Sequence, residues 1–216
     1  MDLKDAAENF RRATKHCDNL ITVHRGHGGR RPGRRAEELS VNRAVVVIAV
    51  ASWQAVVQDY TLACLDLSSP GPNGPLAAAT YKVITGPVRN AIGEFSTPNG
   101  PNARKLLQSA GYDPRQSWTW SQHAGRGRGV KVWRPDDAEA RISEWLKVRH
   151  AIAHGHPALP QVPALGAVRE RGDNPPSEPV LRLVDAEQCL AFFRRLAHLT
   201  GAGLADHLGV PAPSRA

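Results

Sequence analysis

The pattern of apolar and polar positions predicts helices along most of the chain. Residues 3–23 carry apolar side chains at intervals of three and four, which is the spacing of an amphipathic helix. Residues 36–67 form the most apolar stretch and contain no glycine or proline, so they predict a helix that is buried on most of its sides. Further helices are predicted over residues 76–95, 101–110, 136–154 and 185–208.

Two segments interrupt this helical pattern. Residues 111–134 show no clear period. Residues 162–169 and 180–184 flank a Gly-Asp-Asn-Pro-Pro turn and predict a small β-hairpin before the last helix. Long helices with at most one hairpin predict an all-α fold, an up-and-down helical bundle with long loops. We expect a single domain over residues 1–216, with its core in residues 36–208.

Two segments rich in arginine are candidates for contact with an anion. A Gly/Arg loop over residues 24–35 is either a solvated connection or an arm that holds phosphate groups. In residues 115–134, tryptophans and arginines are interleaved, which suits either stacking on unpaired bases or anchoring of a long loop to the core. The candidate RNA-binding residues of the two segments are Arg30, Arg31, Arg34, Arg35, Arg126, Arg128 and Lys131.

The overall charge is compatible with an anionic partner but does not identify one. The 216 residues include 28 Lys plus Arg against 20 Asp plus Glu, which gives a net charge of +8. All but six of these cations are arginines. Such an excess suits nucleic-acid binding, but a GC-rich genome produces the same composition without selection on charge.

Several classes of protein are disfavoured by features that the sequence lacks. Its apolar runs are shorter than the roughly 20 residues of a membrane span, and its charged start does not resemble a signal peptide. Cys17, Cys64 and Cys189 are far apart and form no CxxC pair, which predicts a reducing, cytoplasmic location and no membrane partner. The common nucleotide-binding and zinc-protease motifs do not occur, so we expect no cofactor.

The helix over residues 136–154 carries the residues with the clearest chemistry. At about 100° per residue, Arg149 lies at the centre of an apolar stripe, and a guanidinium there needs a carboxylate, a carbonyl or an external anion. His150 and His154 lie one turn apart beside it, which predicts a phosphate site with a titratable base. The alternatives are core or capping roles, or a zinc site that also uses His156. The apolar stripe comprises Ile142, Trp145, Leu146, Ile152 and Ala153.

The sequence Arg-His-Ala-Ile-Ala-His at residues 149–154 resembles the R-x4-6-H motif of HEPN domains, in which a polar residue commonly follows the arginine. The resemblance extends from about residue 43 to the last helix. Three further features are similar to the RiboL-PSP-HEPN branch of this superfamily. They are an apolar helix that opens at residues 43–47 and continues through 53–55, a turn at 95–100 followed by 104–107, and Gly155 at the end of the motif helix.

This resemblance implies a metal-independent endoribonuclease that cleaves single-stranded RNA in toxin–antitoxin systems or phage defence. HEPN domains are similar in forming a homodimer, in which each subunit supplies an arginine and a histidine to one composite site. The resemblance assigns His154 as general acid–base, Arg149 as phosphate stabiliser, and His150 as a positioning residue or second acid.

The expected products carry 2′,3′-cyclic phosphate and 5′-OH ends, and an antitoxin or another partner encoded by a neighbouring gene is expected. The alternatives are a non-catalytic HEPN module that binds RNA or a partner protein, and a purely structural helical scaffold.

Overall fold

The computed structural model describes residues 1–27, 35–70, 74–123 and 129–213, and there the protein is a helical bundle with a two-stranded hairpin. A 3-10 turn covers Pro114–Gln116, and the hairpin pairs β1 (Trp120–His123) with β2 (Val130–Trp133). This architecture confirms the all-α class and the long helices predicted from the sequence. The helices are α1 (Leu3–His27), α2 (Arg35–Leu67), α3 (Pro75–Glu94), α4 (Gly100–Ser109), α5 (Pro135–Ala153), α6 (Gly166–Arg169) and α7 (Leu183–Leu208).

Helix α2 is the central element of the bundle. It contacts α1, α3, α4, α5 and α7, and its fully buried side chains include Val45, Trp53 and Val57. A helix that is surrounded on most sides needs no polar face, which explains its long apolar sequence. By length and composition, α2 is also the one described helix that could cross a membrane, although half of its most apolar window is buried inside the bundle.

Helix α1 packs antiparallel to α2 and belongs to the same core. Near the start of α1, Asn9 donates to Asp59 near the end of α2 at 3.1 Å. Further along α1, Cys17 contacts the carbonyl oxygen of Val45, which lies earlier in α2. The predicted core of residues 36–208 is therefore too short, because α1 contributes buried side chains to the same apolar cluster.

The last turn of α1 corrects the predicted start of the Gly/Arg loop. Residues 24–27 continue the helix, and Arg25 forms an ion pair with Glu187 of α7 at 2.7 Å. Helix α1 thus continues past its last apolar residue, Val23, and the ion pair with α7 forms in this final turn. Outside the described residues lie Arg30, Arg31, Arg34 and the side chain of Arg35.

The hairpin lies before α5, inside the segment 111–134 whose pattern showed no period. Its strands are antiparallel, with Trp120 opposite Trp133 and His123 opposite Val130. The two tryptophans place the open end of the hairpin against the bundle, where Trp133 is buried and Trp120 is half-buried. This contact with the bundle is what a two-stranded ribbon needs for stability.

The hairpin predicted from residues 162–169 and 180–184 is wrong in its position. Residues 162–169 instead turn into α6, where the backbone N–H of Gly166 donates to the buried carboxylate of Asp185 at 2.8 Å. Because the apolar side chains of this segment pack directly into the core, they need no partner strand. The buried apolar residues of the segment are Val162, Ala164, Leu165 and Val168.

Gly100 sets the close approach of α4 to α5. A Cβ at this position would lie 2.6 Å from the Cα of Glu139, a backbone atom that cannot turn away as a flexible side chain can. We expect Gly100→Ala to lower the free energy of unfolding by about 1–3 kcal/mol, the usual cost of overpacking. Chemical denaturation followed by circular dichroism measures this change.

The matched control for this substitution is Gly93→Ala in α3. A Cβ at Gly93 would meet no atom within 4 Å. In a helix, alanine is favoured over glycine by about 0.5–1 kcal/mol. The control should therefore be neutral or stabilising, and equal stability of the two variants would contradict the close packing at Gly100.

Candidate functional site

Helix α5 ends in a glycine cap, and three histidines lie close together at this end. His154 is the C-cap residue, and its backbone N–H donates to the carbonyl oxygen of His150 at 2.9 Å. Gly155 follows in the left-handed region, with φ of 65°. This conformation lets the N–H of His156 donate to the carbonyl oxygen of Ala151 at 2.9 Å. Gly155 therefore ends the motif helix, as the sequence predicted, and turns the chain back beside the last turn of the helix.

The three imidazoles form a row at the surface. Ring centroids are 6.1 Å apart between His150 and His154, and 6.0 Å apart between His154 and His156. His150 is half-buried, whereas the other two residues are exposed. The row can therefore meet a ligand that arrives from solution. Within the described ranges, no group of three or more His, Cys, Asp or Glu side chains has an arrangement that could hold a metal ion.

Arg149 is half-buried, which corrects the prediction that it lies at the centre of the apolar stripe. In the last turns of α5 the buried side chains are those of Val148 and Ala151, whereas Ile152 is half-buried and Ala153 is exposed. Val148 points about 100° away from Arg149 around the helix axis. The contact face of α5 thus shifts around the helix as its end leaves the core, and Arg149 lies at the edge of that face.

The guanidinium of Arg149 makes no hydrogen bond or ion pair with the part of the chain that the structure describes. Other half-buried arginines are engaged: Arg104 pairs with Asp113 at 2.8 Å, and Arg115 pairs with Glu139 at 2.9 Å. The donors of Arg149 are therefore open to an anion from outside, and a guanidinium matches the oxygens of a phosphate with two parallel donors.

The structure perturbs the protonation of His150. Burial, the positive charge of Arg149 and the neighbouring His154 lower the pKa of His150 below its usual value. Each of these causes disfavours the imidazolium form. The neutral ring, which can accept a proton, therefore persists to lower pH than in a free imidazole.

Arg149→Gln is expected to raise the pKa of His150, because it removes a positive charge that disfavours protonation. The acidic limb of any activity that needs neutral His150 should move to higher pH by the same amount. An NMR titration of the imidazole C–H resonances measures the pKa directly, without an activity assay.

Arg43→Gln is the control for this titration, since Arg43 is an exposed arginine of α2 that makes no hydrogen bond or ion pair with described residues. An unchanged His150 titration in Arg149→Gln would show that the two side chains are not electrostatically coupled.

Lys131 is the member of the second candidate RNA-binding group that the structure describes. It lies on β2 with its Nζ 3.8 Å from the ring centre of Trp133. Burial and the nearby Arg141 lower the pKa of Lys131. No contact within the described residues joins it to Arg149 or to the histidine row, and Arg126 and Arg128 lie outside them.

The tryptophans of residues 115–134 take different places. Trp118 is fully buried, and its Nε1 donates to the hydroxyl of Thr200 at 2.9 Å, which confirms the anchoring interpretation for this residue. Trp120 and Trp133 stack on each other with ring centroids 5.0 Å apart and planes inclined by 7°. This stacked pair forms part of the wall of a cavity.

Most of this cavity was not evident from the sequence. It lies between the hairpin, α5 and α7 and has a volume of about 200 Å³. One signal was present: Arg141 and Trp145 precede Arg149 by eight and four residues, so the three share one row along α5. The residues whose side chains shape the cavity include Trp120, Trp133, Arg141, Trp145, Phe192 and Arg195.

The chain matches no protein-family model, no curated protein and no solved structure. The roles of the site residues therefore follow from their chemistry. The guanidinium of Arg149 lies beside the row of three imidazoles, and the aromatic cavity lies along the same helix, α5.

Proposed function

We propose that the protein is a metal-independent endoribonuclease that cleaves single-stranded RNA at the C-terminal end of α5. One observation carries the proposal: the guanidinium of Arg149 has no partner among the described residues and lies beside His150, whose neutral form is favoured. A positioned cation and a proton acceptor are what cleavage of a phosphodiester by its own 2′-hydroxyl needs. The resemblance of residues 149–154 to the HEPN motif supports the same reaction.

In the proposed reaction, a neutral imidazole takes the proton from a ribose 2′-OH, and the 2′-oxygen attacks the adjacent phosphorus. The bond from phosphorus to the 5′-oxygen breaks, and a second imidazole, in its protonated form, returns a proton to that oxygen. The products are a 2′,3′-cyclic phosphate and a 5′-OH end. Arg149 donates hydrogen bonds to the non-bridging oxygens, where negative charge develops. Unstacked RNA reaches the required in-line geometry more readily than a duplex.

The two histidines of the motif can divide the proton transfers between them. The lowered pKa of His150 favours it as the proton acceptor, a role that the sequence did not assign. His154 then serves as the proton donor to the 5′-oxygen, which keeps it in the acid–base role that the HEPN resemblance implies. His156, brought beside His154 by the glycine cap, adds a third imidazole at 6.0 Å.

A homodimer is part of the proposal. The end of α5 lies at the surface, with Arg149 half-buried and His154 exposed. A second copy of the chain across a two-fold axis would cover this end and bring a second arginine and histidine to the same phosphate.

The proposed biological role is that of a toxin or a phage-defence protein in the cytoplasm, with a partner encoded by a neighbouring gene. This role predicts growth arrest when the chain is expressed alone.

The test is incubation of the purified protein with end-labelled single-stranded RNA in EDTA. We expect cleavage without added metal, with 2′,3′-cyclic phosphate ends on the products. The double variant Arg149→Ala/His154→Ala, purified in the same way, shows whether a contaminating nuclease is responsible. RNA that is bound but not cleaved would overturn the nuclease in favour of a non-catalytic binding module, and loss of cleavage in EDTA would indicate a metal.

A further inference from the structure

We propose that the cavity between the hairpin, α5 and α7 holds one base of the single-stranded RNA, next to the phosphate that is cleaved. The inference rests on the proposed function for the position of that phosphate, but base binding itself can be measured without cleavage. The cavity volume of about 200 Å³ is below the roughly 300–1,000 Å³ of pockets that enclose drug-sized ligands. It suits a single planar ring system.

The walls of the cavity are aromatic. Trp120 and Trp133 are stacked, Phe192 lies 5.7 Å from Trp133 between ring centroids, and Trp145 contributes from α5. Trp133 and Trp145 are buried, whereas Trp120 is half-buried and part of its surface is accessible. Proteins hold unpaired bases by stacking them on such side chains, largely without regard to sequence, because every base has a flat π-face.

Polar side chains line the cavity beside its aromatic walls. The indole Nε1 of Trp145 is buried and has no hydrogen-bond acceptor in the described part of the chain. Such unpaired buried donors are rare in folded proteins. The cavity is also lined by Gln122, Arg141, Gln188 and Arg195, so it differs from a packing defect, which would be apolar throughout.

One arginine at the rim is available for a phosphate. Arg195 is exposed, lines the cavity, and makes no hydrogen bond or ion pair with any described residue. Arg141, deeper in the cavity, is already paired with Glu144 at 3.0 Å. A nucleotide fits this division, with its base inside the aromatic cavity and its phosphate at the guanidinium of Arg195.

The position of the cavity connects it to the proposed cleavage site. Arg141, Trp145 and Arg149 follow one another at intervals of four residues along α5, so they lie in one row. With a rise of 1.5 Å per residue, Trp145 is about 6 Å from Arg149 along the helix axis. This distance is on the scale of neighbouring nucleotides in an extended strand, so a base in the cavity would place the next phosphate near Arg149.

The experiment measures binding of fluorescent 2′-O-methyl hexanucleotides of adenine or uracil by anisotropy. The methyl group blocks the attacking oxygen, so the probes cannot be cleaved. Trp120→Ala is expected to weaken binding about 10-fold or more, through loss of stacking. Arg195→Gln is expected to reduce the slope of log affinity against log salt by about 0.7, which corresponds to one phosphate contact with a single strand. Arg43→Gln is the matched control and should bind as the wild type does.

The outcomes separate this inference from the nuclease proposal. Wild-type protein that does not bind either hexanucleotide, or variants of Trp120 and Arg195 that bind as tightly as wild type, would overturn the base site even if RNA is cleaved. Binding that depends on Trp120, without cleavage of ordinary RNA either in EDTA or with added metal, would overturn the nuclease and leave the base site standing. Arg195→Gln changes an exposed side chain, so the test holds even if Trp120→Ala lowers stability.

Discussion

Arg149→Ala should lower the single-turnover rate constant for cleavage of single-stranded RNA by about 10²–10³-fold, the usual effect of removing one donor that stabilises charge in the transition state. His154→Ala should lower it by about 10²–10⁴-fold, through loss of proton transfer. Neither change should unfold the protein. Arg149 makes no hydrogen bond or ion pair with described residues, and the His154 side chain is exposed at the end of α5.

Arg149→Lys distinguishes a bidentate guanidinium from a simple positive charge. Lysine keeps the charge but cannot present two parallel donors, so we expect only partial recovery relative to Arg149→Ala. The measurement is single-turnover cleavage of labelled RNA in EDTA, with melting temperatures recorded for every variant.

Arg43→Ala and His16→Ala are the matched controls for these substitutions. Both residues are exposed, on α2 and α1, and lie outside the motif. They should cleave at the wild-type rate. Folded Arg149→Ala and His154→Ala variants that also cleave at that rate would remove both residues from the mechanism.

The long helices could be predicted from sequence because each carries a strong local signal. The span of α2 followed from an apolar stretch without glycine or proline, and its ends in the structure, Arg35–Leu67, nearly coincide with those predicted. The hairpin could not be found in this way. Its strands have four residues each, and most of their side chains are exposed, so alternation of apolar and polar positions does not mark a buried face.

For residues 162–169 the sequence predicted a strand, whereas the structure has a turn that leads into α6. They are apolar enough for a strand, but their side chains enter the core directly. The hydrogen bond from Gly166 to Asp185 connects the turn to α7. A contact between residues so distant in sequence leaves no periodic signal. Local pattern therefore favoured a strand where tertiary packing produces a compact turn.

The sequence predicted which residues form the candidate site, but it did not predict how deeply they are buried. Periodicity identified the helix and the positions of Arg149, His150 and His154 on it, and Gly155 marked the end of the helix. Periodicity placed Arg149 in the middle of the apolar stripe because it treats a helix as uniformly packed along its length. The structure shows that α5 leaves the core at its end, where Val148 and Ala151 remain buried and Ala153 is exposed.

The cavity depends on contacts that no local pattern reports. Trp120 and Trp133 come from the hairpin, Trp145 from α5 and Phe192 from α7, and only the tertiary fold brings them together. The sequence singled out residues 115–134, which contain Trp118, Trp120 and Trp133, but left open whether these tryptophans stack on bases or anchor a loop. The structure answers this for Trp118, which is a core residue, and leaves Trp120 as the half-buried member of the cavity wall.

A heterodimer of Arg149→Ala and His154→Ala subunits should recover activity about tenfold or more above either parent homodimer, if the two-fold site is shared as proposed. One subunit then supplies the intact arginine and the other supplies the intact histidine. If Arg149 and His154 of the same chain act on one phosphate, each subunit of the heterodimer lacks one essential group and no recovery follows. The prediction therefore separates a composite site from two independent ones.

Co-expression of the two subunits with different affinity tags, followed by tandem purification, isolates the heterodimer for this assay. A heterodimer of two differently tagged Arg149→Ala subunits is the control, since it contains no intact Arg149 and must stay at the activity of the Arg149→Ala homodimer. Recovery in the mixed heterodimer alone would require Arg149 and His154 to meet across the interface, which also explains why the structure leaves that guanidinium without a partner in its own described chain. An inactive mixed heterodimer, with both parents folded and dimeric, would contradict the shared site and confine the chemistry to the end of a single α5.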